Sequence, residues 1–205
     1  DWCVGQLLQA LDSLKLTSNT LVIFSSDNGP VVDDGYKDKS VEELGRHKPA
    51  GPLRGGKYSI FEAGTRVPLL VSWPGKIAPG ISNALLSQVD LMASLAVPAG
   101  ATLPAGTAED TQDHWSVLAG KNKKGRKALI IHAQTYALVQ PGWKYIEPAK
   151  GNTLFKEVNI ESGLLDKPQL YRISTDIAEQ NNLAVQYPKR VKRMQQQLKK
   201  IKSSN

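Results

Sequence analysis

Leu21-Val22-Ile23-Phe24-Ser25-Ser26-Asp27-Asn28-Gly29-Pro30 carries an unbroken apolar run straight into two oxygen donors and a turn. Pro52-Leu53-Arg54-Gly55-Gly56-Lys57 then brings in a lysine framed by glycines. An apolar run without alternation reads as a strand buried on both faces, the setting found in parallel sheets. Such sheets bind ligands just beyond the carboxyl ends of their strands, which is where Asp27 and Asn28 fall. Oxygen donors for a cation beside a mobile ammonium make a site for an oxyanion ester such as a sulfate or phosphate. Each half is weak alone. Asn-Gly is a strong hairpin-turn signal, but the residues after Pro30 are polar and irregular rather than a second alternating strand. Gly55-Gly56-Lys57 lacks the longer glycine frame and the following Ser or Thr of a P-loop. The reading rests on having both in this order.

The surrounding pattern predicts an α/β chain. Val4, Leu7, Leu8, Leu11 and Leu14 fall at helix spacing and predict a first helix packed by its apolar stripe. Because the chain opens directly in that helix, it reads as a piece cut from a longer protein. Residues 29–56 form a long polar insert with a short helix at 40–44, and loops of this length in compact domains are usually functional or disordered. Val67 to Trp73 supplies a second apolar strand. Ser87 with Asp90 three residues later makes a capping-box-like start for a helix over 88–96. Pro98 to Gly125 is rich in Gly, Pro, Ala and Thr and reads as a surface linker, with His114 exposed on it. Short strands at 128–132, 136–139, 143–146, 154–158 and 169–173 are separated by Pro141-Gly142, Gly151-Asn152 and residues 163–168. They predict a small antiparallel sheet. Two domains follow: residues 1–124 as part of an α/β catalytic domain, and 125–205 as an antiparallel-sheet subdomain with a closing helix.

Composition sets limits on partners. With 205 residues and 40% apolar content the chain can bury a sizeable core. No run reaches the ~18 apolar residues of a membrane span. The net charge of +7 comes entirely from the lysines and arginines between Lys189 and Lys202, a stretch without acids. There Tyr187, Val191, Met194, Leu198 and Ile201 keep helix spacing, so the charge reads as the solvated face of a docked helix. Nothing interleaves aromatics with it, which argues against a nucleic-acid partner. The single cysteine, Cys3, lies on the first helix and reads as a buried structural thiol.

Residues 20–29, Pro52 to Lys57, Phe61-Glu62-Ala63-Gly64-Thr65-Arg66-Val67-Pro68 and Trp73-Pro74-Gly75-Lys76-Ile77 together resemble the second half of a type I sulfatase, of the alkaline-phosphatase-like superfamily. The similarity continues through Ser87-Gln88-Val89-Asp90-Leu91 and Trp143-Lys144-Tyr145-Ile146. It ends with Leu170-Tyr171 and Asp176 to Leu183, like the family's "LYDL…D..E..NLA" tail, and so covers almost the whole chain.

The resemblance implies a calcium-dependent hydrolase of sulfate esters and assigns residues to it. Asp27 and Asn28 would supply two oxygen ligands to one Ca2+. Calcium takes six to eight, so the others would come from the N-terminal half that this chain lacks. An amide oxygen there favours calcium over the zinc or manganese of phosphatase relatives, which tend to place a histidine in this region. Lys57 would contact a sulfate oxygen and offset charge as the S–O bond breaks. His47 and Lys48, in the insert, would line the sugar pocket. Arg54 would either reach the anion or brace its loop, and Glu62 with Arg66 would form a structural ion pair. His132 reads as a structural histidine. The formylglycine nucleophile is expected upstream, since Cys3 stands outside any Cys-x-Pro-x-Arg motif. The insert is similar to that of bacterial enzymes acting on galactose or N-acetylgalactosamine 6-sulfate, which suggests a sulfated small molecule or glycan as substrate. The resemblance also implies a periplasmic, secreted or otherwise extracytoplasmic location. Two other readings stay open: a non-catalytic module binding glycans or a partner protein through its basic helix, and a phosphoesterase of the same superfamily.

Overall fold

The computed structural model describes residues 1–203, in two compact units. The first comprises Asp1–Ser25 and Pro68–Arg126, and the second Ser26–Val67 together with the chain from Lys127 on. The segment of Asp27 and Asn28 and the glycine-framed lysine thus belong to the same unit as the C-terminal sheet.

In the first unit, α1 (Trp2–Ser13) leads to β1 (Val22–Ser25). β1 pairs antiparallel with β2 (Leu69–Ser72), Ile23 facing Val71, and the two form a two-stranded sheet. The covered, parallel setting expected for this run is absent from the described residues. Phe24 and Leu70 are 47% and 59% exposed, left half-covered by the described residues. The stripe of α1 behaves alike: none of its residues is buried, and Leu7 is 68% exposed. Cys3 is exposed as well, not buried. Order in this unit comes from polar ties. Ser87 and Asp90 close a capping box, followed by a 3-10 turn and α4 (Leu91–Ala99). The buried Asp90 carboxylate takes Arg126 Nε at 2.8 and 3.0 Å, and the backbone N–H of Gln112 at 3.0 Å. Burial pushes the Asp90 carboxyl up, but the guanidinium and backbone donors outweigh it and hold the group below the usual carboxylate range. α5 (Trp115–Leu118) interrupts the predicted linker. His114 at its start is only half-exposed, with Nε2 buried and unpartnered, so the exposed setting expected for it does not hold.

In the second unit, α2 (Ser40–Glu43) and α3 (Glu62–Thr65) precede a four-stranded antiparallel sheet. Its strands run in the order β3 (Leu129–His132), β4 (Tyr136–Gln140), β5 (Trp143–Ile146) and β8 (Gln169–Tyr171). A hairpin of β6 (Leu154–Phe155) and β7 (Ile160–Glu161) stands apart. Alternation along the strands gives the sheet two buried faces. Leu138, Tyr145 and Leu170 meet Met194 and Leu198 of the closing helix α6 (Pro188–Lys202). Ala137, Ile146 and Tyr171 meet Ile60 and Phe61. α6 therefore docks by its stripe as its spacing predicts, while the segment entering α3 covers the opposite face.

The tail motif builds a turn. Asp176 accepts the backbone N–H groups of Gln180 and Asn181, and Asn182 Oδ1 accepts those of Leu170 and Ala184. That closes the chain onto β8 and aims Glu179 inward.

Candidate functional site

The site lies in the second unit, and glycine makes its frame possible. The N–H of Gly29 donates to the carbonyl of Gly64 at 3.0 Å, and the N–H of Lys57 to the carbonyl of Pro30 at 2.9 Å. A Cβ on Gly29 would sit 1.5 Å from the Ala63 carbonyl oxygen, and one on Gly64 2.1 Å from that of Ser59. Only bare backbone can approach so closely. Gly55 turns the chain at φ +83°. Gly29 and Pro30 are thereby fastened main chain to main chain onto the segment from Lys57 to Gly64, well further on in the sequence.

The result is an open cleft of about 420 Å³ lined by Asp27, Asn28, Lys57, Tyr58, Ser59, Gly64, Thr65, His132, Ala133 and Gln134. Asn28 Nδ2 donates to the Gly29 carbonyl at 2.9 Å, which commits the nitrogen and leaves the amide oxygen to accept. Asp27 Oδ1 accepts the Asn28 N–H at 3.0 Å. Adjacent carboxylate and amide oxygens suit a hard cation such as calcium. Among the described residues no group of three or more His, Cys, Asp or Glu side chains is placed to hold a metal. The donor set fits one edge of a calcium site. Thr65 adds a buried hydroxyl without a hydrogen-bond partner on the same cleft.

Lys57 is held from the insert. Its Nζ lies 2.7 Å from Asp34 Oδ2, and the Tyr58 hydroxyl donates to Asp34 Oδ1 at 2.9 Å. The hydrogen bond that Lys57 donates to Asp34, aided by Tyr58, raises the Lys57 pKa above its ordinary value and lowers that of Asp34. The Lys57 ammonium therefore rests on a carboxylate supplied by the insert.

The other expected residues lie elsewhere. Arg54 stacks over Phe61, 4.1 Å from the ring centroid, and its guanidinium binds Glu161 and the carbonyl of Glu179. Every arm has a partner in the fold, the bracing alternative of its sequence reading. His47 and Lys48 are exposed and outside the cleft. Arg66 Nη1 lies 3.3 Å from Glu62 Oε2, the expected i,i+4 pair.

Sequence reasoning missed the turn after β3. His132 lies on the cleft, stacked on Tyr136 at 4.4 Å, and Gln134 beside it has φ +60°. A histidine ending a strand just before a tight turn was the available signal. A second cleft of about 400 Å³ shares Tyr58 and Gln134 and adds Asp34, Phe155 and Glu157.

Comparison with known proteins then defines the class: the chain belongs to the sulfatase family, whose model matches residues 1–101. Over 205 residues it is 44% identical to an N-acetylgalactosamine-6-O-sulfatase of Bacteroides thetaiotaomicron, covering 99% of this chain and 40% of that protein. Human arylsulfatase A is 40% identical over 132 residues, 64% of this chain and 24% of that protein. A solved structure described under the metabolism of multiple glycosaminoglycans by Bacteroides thetaiotaomicron superposes with a TM-score of 0.93 at 44% identity. It covers 98% of this chain and 42% of that one. The chain thus spans about two fifths of these bacterial relatives.

Proposed function

We propose that this chain forms the sulfate-gripping side of a calcium-dependent sulfatase site acting on a sulfated sugar. The observation that carries the reading is the meeting of Asp27, Asn28 and Lys57 on one cleft. Asp27 and Asn28 would hold the cation by their free oxygens, the remaining ligands coming from the part of the enzyme outside this chain. Bound there, calcium would draw electron density from the oxygens of a sulfate ester. Lys57 places its ammonium against a sulfate oxygen and offsets the charge that grows as the S–O bond breaks. The nucleophile, a formylglycine in this family, belongs to the part outside this chain.

Asp34 gives Lys57 a resting partner, so an incoming sulfate exchanges with or crowds a carboxylate. The neighbouring aromatic faces of Tyr58 and Phe155, with the polar ends of Gln134 and Glu157, offer stacking and hydroxyl recognition suited to a sugar. That chemistry, and the similarity to an N-acetylgalactosamine-6-O-sulfatase, support a 6-sulfated galactose-type substrate.

The test is Lys57→Ala in the complete enzyme, assayed on an aryl sulfate. Loss of roughly a hundredfold in kcat/KM is expected, the scale of a removed oxyanion stabiliser. Near-normal kinetics would take Lys57 out of the site. Faster hydrolysis of a phosphate monoester, with zinc or manganese replacing calcium, would move the chain to the phosphoesterase branch. The isolated chain should release no sulfate.

A further inference from the structure

Lys144 is the most deeply buried cation among the described residues, at 0% exposure in the middle of β5. Its Nζ donates to Glu62 Oε1 at 3.0 Å and lies 3.1 Å from Glu179 Oε1. The second approach is an ion pair outside hydrogen-bond geometry, since that oxygen has no hydrogen-bond partner. The other oxygen of Glu179 accepts the backbone N–H of Glu62. Arg66 sits on the remaining oxygen of Glu62. Two acids and two bases balance, which is what permits such a group to be buried.

The cluster lies at the root of α3, and α3 carries the floor of the cleft. Both Glu62 contacts, one to its side chain and one to its backbone, fix the first residue of that helix. Two residues on, the Gly64 carbonyl takes the N–H of Gly29, the residue after Asn28. Register puts Lys144 on the sheet face that Ile60 and Phe61 cover, opposite Tyr171 on β8. A straight physical chain therefore runs from the β5 ammonium through Glu62, α3 and Gly64 to the peptide that bears the two oxygen donors.

We propose that Lys144, backed by Glu179, is a positioning residue: it hangs α3 from the C-terminal sheet and so sets where Asp27 and Asn28 present their oxygens. The assignment of those oxygens to a cation rests on the function proposed above; the tie to Gly29 does not. A methionine in place of Lys144 would fill the same space without the ammonium. Paired with a neutral glutamine at 179, it would leave Glu62 balanced by Arg66.

The test uses this chain, isotopically labelled, and reads amide hydrogen exchange at Gly29 and, as internal control, at Leu138 on β4. In Lys144→Met/Glu179→Gln, exchange at Gly29 should speed up at least tenfold while Leu138 holds its wild-type rate. Glu179→Gln alone keeps Lys144 on Glu62 and should leave Gly29 protected. Unchanged exchange at Gly29 in the double variant overturns the proposal. Equal acceleration at both amides also overturns it, because the cluster would then be serving the whole fold. In the complete enzyme, the double variant should need at least tenfold more calcium for half-maximal hydrolysis of an aryl sulfate. An enzyme that hydrolyses no sulfate ester, with Gly29 still selectively deprotected, refutes the proposed function and leaves the positioning role standing.

Discussion

The two units of this chain handle apolar surface in opposite ways. In the second, both faces of a four-stranded sheet are covered, one by α6 and the other by the segment that enters α3. In the first, α1 and the β1–β2 pair leave Leu7, Leu14, Phe24 and Leu70 open to water, and a charged pair, Asp90 with Arg126, ties the loops. Similar sequence signals, an apolar stripe and an apolar run, thus end in different environments. Periodicity states which face wants burial; it does not state whether this chain supplies the cover.

Four experiments on the chain can break or sharpen that contrast. The largest effect belongs to the buried ammonium. Lys144→Met alone strands two acids against one remaining base, and should lower stability by about 3–5 kcal/mol in urea unfolding. Leu138→Ala empties a fully covered position where β4 packs against α6, and should cost about 2–5 kcal/mol. Asp90→Asn removes the charge that Arg126 grips in the first unit, with an expected loss of about 1–3 kcal/mol. Leu7→Ser, on the open stripe of α1, should stay within about 0.5 kcal/mol. A loss at Leu7 as large as that at Leu138 would mean that α1 is covered in solution, and the contrast would fall.

Acid titration should separate the two buried carboxylates, Asp90 and Glu179, by sign. Asp90 is depressed in the fold, so its contribution is present above the ordinary value of 3.8 and is lost as pH falls through the lower folded value. Glu179 moves the other way: burial raises it above 4.5, with Lys144 opposing. Its contribution is present below 4.5 and fades as pH rises through the raised folded value. Unfolding followed at Trp115 should therefore weaken in acid. Replacing Glu179 with Gln should flatten the pH dependence read at Trp143.

Much of the candidate site was legible because its residues fall in short local segments. Asp27, Asn28 and Lys57 sit in short segments whose residue types speak directly for metal and anion contacts, and they meet on one cleft. The short strands of the C-terminal sheet and the docking of α6 followed from spacing. What stayed hidden depends on partners distant in sequence. Lys144 stands in a strand whose pattern, Trp143-Lys144-Tyr145-Ile146, looks like any half-exposed strand, and only the fold brings Glu62 and Glu179 to it. Glu179 was visible within the tail motif, but its inward aim needs the turn built by Asp176 and Asn182. The brief β7 at Ile160–Glu161 has too few residues to show a period at all.

The corner that carries Asp27 and Asn28 is assembled from peptide groups touching peptide groups, at Gly29, Gly56 and Gly64. Such a joint has no adjustable parts: there is no rotamer to change and no methyl to trim. A redesign of the cleft should leave those three positions untouched. The freedom lies in the polar insert around Asp34 and in the turn bearing His132 and Gln134, where side chains rather than backbone shape the walls. Durable grip and variable choice are written into different kinds of atoms.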